Sequence, residues 1–213
     1  MDRFQETWLS LCNRLFSQSR ALRRGYYLVK KLKFTEQKEA NRVCLDLGTG
    51  KGAARPEGFI GVDKVKHPGV AQVVDLRKRW PWKANSVDEV QASHLLQYFT
   101  AQERIHFVQE LHRVLKVGGK ATVITPYWAA CKAYGDLTAC VPPVSEAWYF
   151  RLNKAWREAQ NYADPDGYTC NFDHTLGYGM HHSVAVRNAE YQQHAISFWK
   201  EAAQDLCATL VKL

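Results

Sequence analysis

The sequence predicts an α/β domain built on seven strands, and three observations carry that prediction. Short apolar runs alternate with helical patterns from residue 43 onward, the order expected of a parallel sheet with crossover helices. The first run leads straight into the glycine cluster of "VCLDLGTGKGAARPEGFIGVD", residues 43–63, where glycines permit a tight turn and close backbone approach to a ligand. A chain of 213 residues suits one such domain, or one domain with an appended arm, and is long enough to bury a real core.

The elements follow in order. "RVCLDL" (42–47), "GFIGVD" (58–63) and "AQVVDL" (71–76) read as short buried strands, and "SVDEVQAS" (86–93) alternates as a fourth. "TAQERIHFVQELHRVL" (100–115) is a helix: Thr100 caps it, Glu103 stands three residues on, and Ile105, Val108, Leu111, Val114 and Leu115 share one face. "KVGGK" supplies glycines to end that helix, and "KATVIT" (120–125) is a fifth strand stopped by Pro126. Residues 145–162 read as one helix with Trp148, Leu152, Ala155, Trp156 and Ala159 on a face, and residues 168–180 alternate as a sixth strand. A helix near 188–204 then precedes a last strand at 205–213. Only "AARPEG" (53–58) separates the first two strands; with Pro56 and Gly58 inside, it makes no more than about one helical turn, so the first crossover helix is truncated.

Charge is placed unevenly. Residues 1–42 carry ten Lys/Arg against four Asp/Glu, residues 43–126 twelve against eight, and residues 127–213 seven against nine, so the segments stand at +6, +4 and −2. The basic front, residues 1–40, reads as a helical extension to a domain spanning 41–213, because Trp8, Leu11, Leu15 and Phe16 recur at helical spacing. Residues 3–34 are expected to dock on the sheet or to lid the cleft, with their Arg/Lys face toward solvent or an acidic or nucleic-acid partner. No apolar run approaches the ~18 residues of a membrane span, and no secretory signal is evident, which suggests a cytoplasmic protein. The six cysteines form no C-x-x-C pair and read as reduced core thiols; Cys170, His174, His181 and His182 match no standard zinc spacing, so no metal site is expected.

The glycine loop narrows the ligand. Asp46, Gly48, Gly50 and Gly52 spell D-x-G-x-G-x-G after a buried strand. A P-loop needs Ser or Thr after its lysine, and Lys51 is followed by Gly52. A dinucleotide loop needs a helix N-terminus facing the pyrophosphate, for which residues 53–58 leave no room. Asp46 would also put negative charge beside phosphate, whereas it suits a cationic nucleoside such as S-adenosylmethionine, with Asp63 placed to accept ribose hydroxyls.

"VCLDLGTGKG", "FIGVD", "VVDL", "NSVDEVQASHLLQYF" and "LHRVLKVGGKATVITPY" resemble, in order and spacing, the class I S-adenosylmethionine-dependent methyltransferases, over residues 43–127. The resemblance implies a Rossmann-like seven-stranded methyltransferase sheet with an antiparallel last strand, and S-adenosyl-L-methionine as cofactor with S-adenosyl-L-homocysteine as product. It further implies that Asp46, Gly48, Thr49 and Gly50 contact the amino-acid part of the cofactor, Asp63 with Lys64 the ribose, Asp75 with the Leu76 amide the adenine, and Ser93 with His94 the methyl-transfer rim. The chain departs from the family pattern at Thr49 (usually Cys), Val117 (usually Pro), and Gln97 and Tyr98 (usually Glu and His).

His94 and Tyr127, at carboxyl ends of strands, are the candidates for base or acceptor orientation. Each singled-out residue has a plainer alternative: Asp75 as a turn cap, His94 as an orienting histidine at a helix start, His174 as a core histidine, and "RKRWPWK" (77–83) as packing. A DNA amino-methyltransferase would carry [DNS]-P-P-[YFW] after the fourth strand, where this chain has "ASHLLQYF", so the methyl acceptor is expected to be a small molecule or another non-DNA-amino group. The competing reading is a non-catalytic S-adenosylmethionine-binding or RNA-associated module that works through its basic front; steep salt dependence of nucleic-acid binding would mark it.

Overall fold

Seven strands form where the apolar runs stand: β1 (Cys44–Leu47), β2 (Ile60–Asp63), β3 (Gln72–Val73), β4 (Val87–Ser93), β5 (Leu115–Pro126), β6 (Phe172–Met180) and β7 (Ala203–Lys212). This is a computed structural model and it describes residues 42–52, 55–162 and 167–213; the extension expected at 1–40 and its docking lie outside them. The strands make one sheet in the order β3-β2-β1-β4-β5-β7-β6. Pairs among β1 to β5 are parallel, and β7 alone runs antiparallel to its neighbours β5 and β6. The chain leaves β1 in one direction for β2 and β3 and returns on its other side with β4. That reversal opens a crevice at the carboxyl ends of β1 and β4, where open α/β sheets bind their ligands.

Strand alternation sorts the two faces. Leu45, Leu47, Val62, Val90, Ala92, Ala121, Val123, Leu206, Ala208 and Leu210 are all buried on one face. Helix α1 (Ala101–Val114) covers it with Phe107, Val108, Leu111 and Val114. Its start is the capping box the sequence shows: Thr100 accepts from the Glu103 amide and Glu103 accepts from the Thr100 amide. Trp80 of the "RKRWPWK" stretch is 2% exposed. Its indole donates to Leu76 O at 3.0 Å and its amide donates to Glu110 at 2.7 Å, so this stretch packs under α1. On the other face Asp46, Gly61, Gln91 and Thr122 stand side by side in register across β2, β1, β4 and β5.

Three local expectations change. The glycines of "KVGGK" do not end α1, because the chain turns extended at Leu115 and β5 pairs from there with Val87. They sit in a bulge before pairing resumes at Glu89 and Lys120: Gly118 has a φ of 74°, and a Cβ on Gly119 would lie 2.8 Å from Lys116 O. The helix over 145–162 is two, α3 (Glu146–Phe150) and α4 (Lys154–Ala159), with the short α2 (Lys132–Gly135) before them. Asn153 caps α4 by accepting from the Trp156 amide, while Leu152 O accepts from the Phe172 amide; side-chain capping and the start of β6 outcompete continuation. Cys131 is exposed where a core thiol was expected, whereas Cys44, Cys170 and Cys207 are buried. The chain then forms α5 (His182–Ala185) and α6 (Ala189–Phe198) before β7. Among the described residues no helix separates β1 from β2, and none is long and apolar enough to cross a membrane.

Gly61 occupies the tightest point of the sheet: a Cβ there would lie 2.2 Å from Gly69 O, 2.7 Å from an Arg55 guanidinium nitrogen and 3.1 Å from the Thr49 hydroxyl. Gly61→Ala is therefore expected to cost about 1–3 kcal/mol, read as a lower urea midpoint. Gly135→Ala, where nothing lies within 4 Å, is the control and should cause no loss; equal midpoints for the two variants would contradict this packing.

Candidate functional site

The crevice is built from four loops at carboxyl ends of strands. After β1 the chain makes its turn at Gly48, whose φ of 73° suits glycine. A Cβ there would also meet Leu95 at 2.9 Å, so the loops after β1 and β4 touch at this point. The amides of Gly48 and Thr49 both donate to Val62 O, at 2.8 and 3.1 Å. The Thr49 hydroxyl lies 2.9 Å from Asp46 O and 2.8 Å from Asp46 Oδ2, and it accepts from the Val62 amide at 3.2 Å. Thr49 is thus engaged within the fold and 4% exposed, while Gly50 is exposed. Asp46 is 6% exposed. Burial pushes its carboxyl above the ordinary value, against the Thr49 hydrogen bond and the Arg55 charge, which pull it down.

At the end of β2, Asp63 is half-buried; one carboxylate oxygen accepts from the Val65 amide at 3.0 Å and the other is 3.8 Å from His67. Lys64 beside it is exposed. After β3, Asp75 closes a turn: its carboxylate accepts from the Arg77 amide at 3.2 Å and its carbonyl from the Lys78 amide at 3.0 Å. Leu76 is buried and its carbonyl holds the Trp80 indole.

At the end of β4, Ser93 pairs with Ile124 and His94 takes a φ of 52°, rare for a residue with a side chain and a frequent mark of functional loops. The His94 amide donates to Ile124 O at 2.8 Å. Its imidazole Nε2 lies 3.7 Å from Asp205 Oδ1. Lys132 Nζ reaches that same oxygen at 2.5 Å. Burial lowers the His94 value from its ordinary one, Asp205 raises it and Lys132 lowers it. The departure at Tyr98 has a structural use, its hydroxyl donating to Asp136 at 2.9 Å, and next to it the backbone carbonyl of Gln97 accepts from the Cys140 amide at 2.6 Å. Together they tether the segment after α2 to the β4 loop.

Tyr127 is a correction. Expected beside His94 at the rim, it is 1% exposed and packs edge-on against Tyr178 with ring centroids 5.6 Å apart. Burial first, then the nearby Glu146, pushes its phenol up to about 12. The reason is alternation: Asp205, opposite Pro126, meets His94, while Tyr178, opposite Leu206, meets Tyr127 on the other face. Three residues that nothing in the sequence singled out enter the crevice. Asp205 and Lys132 come from distant elements. Arg55 donates to Gly69 O and lies over Gly61, and a glycine inside a strand is the signal that hinted at such close approach.

Residues 45–123 match the family model described as a methyltransferase domain, a span that runs from β1 into β5. No curated protein matches the sequence. Among solved structures, a SAM-dependent methyltransferase from Archaeoglobus fulgidus superposes with a TM-score of 0.58 at 16% identity, covering 86% of this chain and 91% of that one. The chain assigned as a methyltransferase in a complex with the Haloferax volcanii Trm112 methyltransferase activator superposes with a TM-score of 0.51 at 16% identity, covering 84% and 87%. The fold is that of the class I S-adenosylmethionine-dependent methyltransferases, and the resemblance visible in the sequence extends to the whole sheet.

The buried Asp46 gives a stability signature. An acid whose folded value is raised disfavours the folded state when ionised; the penalty is absent below its ordinary value of 3.8 and grows as pH rises through the folded value. Asp46→Asn should therefore melt above wild type at neutral pH, with the difference vanishing in acid. A variant that melts lower than wild type at neutral pH would show that the carboxylate is stabilising.

Proposed function

We propose that this protein is an S-adenosylmethionine-dependent methyltransferase: it binds S-adenosyl-L-methionine at the carboxyl ends of β1, β2 and β4 and releases S-adenosyl-L-homocysteine. The observation that carries this reading is the placement of Asp46 and Asp63 at the ends of adjacent strands with no helix between them among the described residues. A phosphate ligand would meet two carboxylates and no helix dipole there, whereas an ammonium and a ribose find acceptors. The family match over residues 45–123 supports it.

In this reading Asp46 takes the ammonium, and Gly48 and Thr49 shape the loop because their amides are engaged by Val62 O; the exposed Gly50 lets the ligand approach. Asp63 and Lys64 flank the ribose, Asp75 and Leu76 the adenine. Ser93 and His94 line the acceptor side. The cofactor supplies an activated methyl group on a sulfonium, and the protein's task is to hold the acceptor in line and to take its proton where it has one. His94, kept neutral by burial, is the group placed for that, and Tyr127 in the core is not. The acceptor is then a small molecule or another non-DNA-amino group whose nucleophilic atom carries an ionisable proton.

Calorimetry tests the cofactor assignment: S-adenosylmethionine and S-adenosylhomocysteine should bind and NAD should not. Asp63→Ala should weaken both sulfur nucleosides by about 1.5–3 kcal/mol through lost hydrogen bonds to a charged acceptor, in a protein that stays folded by circular dichroism. Tighter binding of NAD, or no binding of either sulfur nucleoside by the folded protein, would reject the reading.

A further inference from the structure

At the acceptor end of the crevice three charged or titratable side chains from three elements converge. His94 follows β4, Lys132 opens α2 and Asp205 lies in β7; their side chains are 44%, 37% and 12% exposed. Both His94 Nε2 and Lys132 Nζ face the same oxygen, Asp205 Oδ1. A carboxylate this buried is stable only with cationic or hydrogen-bonding partners. The arrangement is anchored. Asp205 is fixed by its ladder position opposite Pro126. Lys132 is held by its neighbour Cys131, whose amide donates to Glu201, and Glu201 also accepts from Gln204 one residue before Asp205. His94 is fixed by its left-handed backbone and its bond to Ile124 O.

We propose that Asp205 is a positioning residue for His94, that Lys132 sets how strongly Asp205 acts, and that the pair keeps His94 oriented as the proton acceptor for a methyl acceptor of the X–H type, a hydroxyl or a neutral amine. The inference rests on the methyltransferase reading above. With Nε2 toward Asp205, Nδ1 is the ring nitrogen left to take a proton. The step balances as follows: the lone pair of X attacks the methyl carbon, the carbon–sulfur bond breaks with its pair going to sulfur, and the X–H proton passes to His94 Nδ1. The imidazolium so formed lies 3.7 Å from Asp205, whose charge offsets it. Lys132 prevents the opposite failure: by sharing Asp205 it stops the carboxylate from holding His94 permanently protonated before the acceptor arrives. The groups that face the imidazole are Asp205 from β7 and Lys132 from α2; Glu201 stands next to Lys132 and is engaged by Cys131 and Gln204.

The test is an NMR titration of the His94 ring in the intact chain, which needs no acceptor. Asp205→Asn should lower the His94 midpoint and Lys132→Met should raise it, each by about half a pH unit for a half-exposed pair. Opposite signs distinguish this circuit from general loosening, which would move both variants the same way, toward the value of a free histidine. An unchanged midpoint in Asp205→Asn, or shifts of the same sign, would overturn the proposal. Binding of S-adenosylhomocysteine, followed separately by calorimetry, reports on the cofactor site, so a protein that fails there but shows the paired shifts rejects the methyltransferase reading alone. With turnover in hand, Asp205→Asn should move the acidic limb of the kcat profile in the direction of the His94 midpoint, and Asp205→Glu should restore part of the rate.

Discussion

The Thr49 hydroxyl is the joint on which the crevice depends. It has one proton, and two acceptors of Asp46 compete for it, the backbone carbonyl at 2.9 Å and the carboxylate at 2.8 Å. Its lone pairs meanwhile receive the Val62 amide. A single side chain therefore closes the turn after β1, orients the buried acid and fastens both to β2. A threonine can donate and accept strongly at once, whereas a thiol does both weakly. Thr49 thus concentrates hydrogen bonding at a point where, among the described residues, no helix stands behind the loop.

A crossover between parallel strands normally covers the sheet with its helix. Here the connection from β1 to β2 has none among the described residues, and the face beside Asp46 is filled in a different way. Gly69 O, the Arg55 guanidinium and the Thr49 hydroxyl crowd the place where Gly61 would carry a side chain. Arg55 joins the first loop to the second through Gly69 O, so two loops brace each other where one helix would have served. The same substitution fixes the chemistry. Among the described residues no helix N-terminus after β1 offers a positive dipole to a phosphate, and Arg55, already engaged with Gly69 and beside Asp46, is held within the structure. What the crevice offers a ligand is carboxylate.

Much of this was legible in the sequence because local patterns specify it. Seven apolar runs became seven strands, Thr100 and Glu103 formed their capping box, and Pro56 with Gly58 ruled out the missing helix. Failures occurred where a distant contact outweighed a local pattern. The apolar stripe of residues 145–162 is helical in period, yet Leu152 O is taken by β6 and Asn153 makes a better cap than a helix interior. Gly118 and Gly119 look like helix stops, but the strand pairing of Leu115 with Val87 arrives first. In the site, Asp46 and Asp63 announce themselves through the glycines and strand ends around them. Asp205 does not, because it sits within an ordinary apolar strand and acquires meaning only when β7 inserts beside β5. Lys132 is separated from it by more than seventy residues, and no spacing rule connects the two.

In the proposed reading, charge divides the crevice into a cofactor half and an acceptor half. The cofactor half gathers Asp46, Asp63 and Asp75 at the ends of three successive strands, with Arg55 as the cation that lowers the cost of burying Asp46. The acceptor half pairs Lys132 with Asp205 and places His94 against them, so its formal charges cancel while the imidazole is neutral. A cationic sulfonium bound between the halves would be attracted by the first and not repelled by the second. The balance shifts only when a proton reaches His94, and the acid beside it is positioned to absorb that change. The positive φ of His94 goes with an amide held by Ile124 O and a ring that ends 3.7 Å from Asp205, so backbone and side chain are both committed to this end of the crevice.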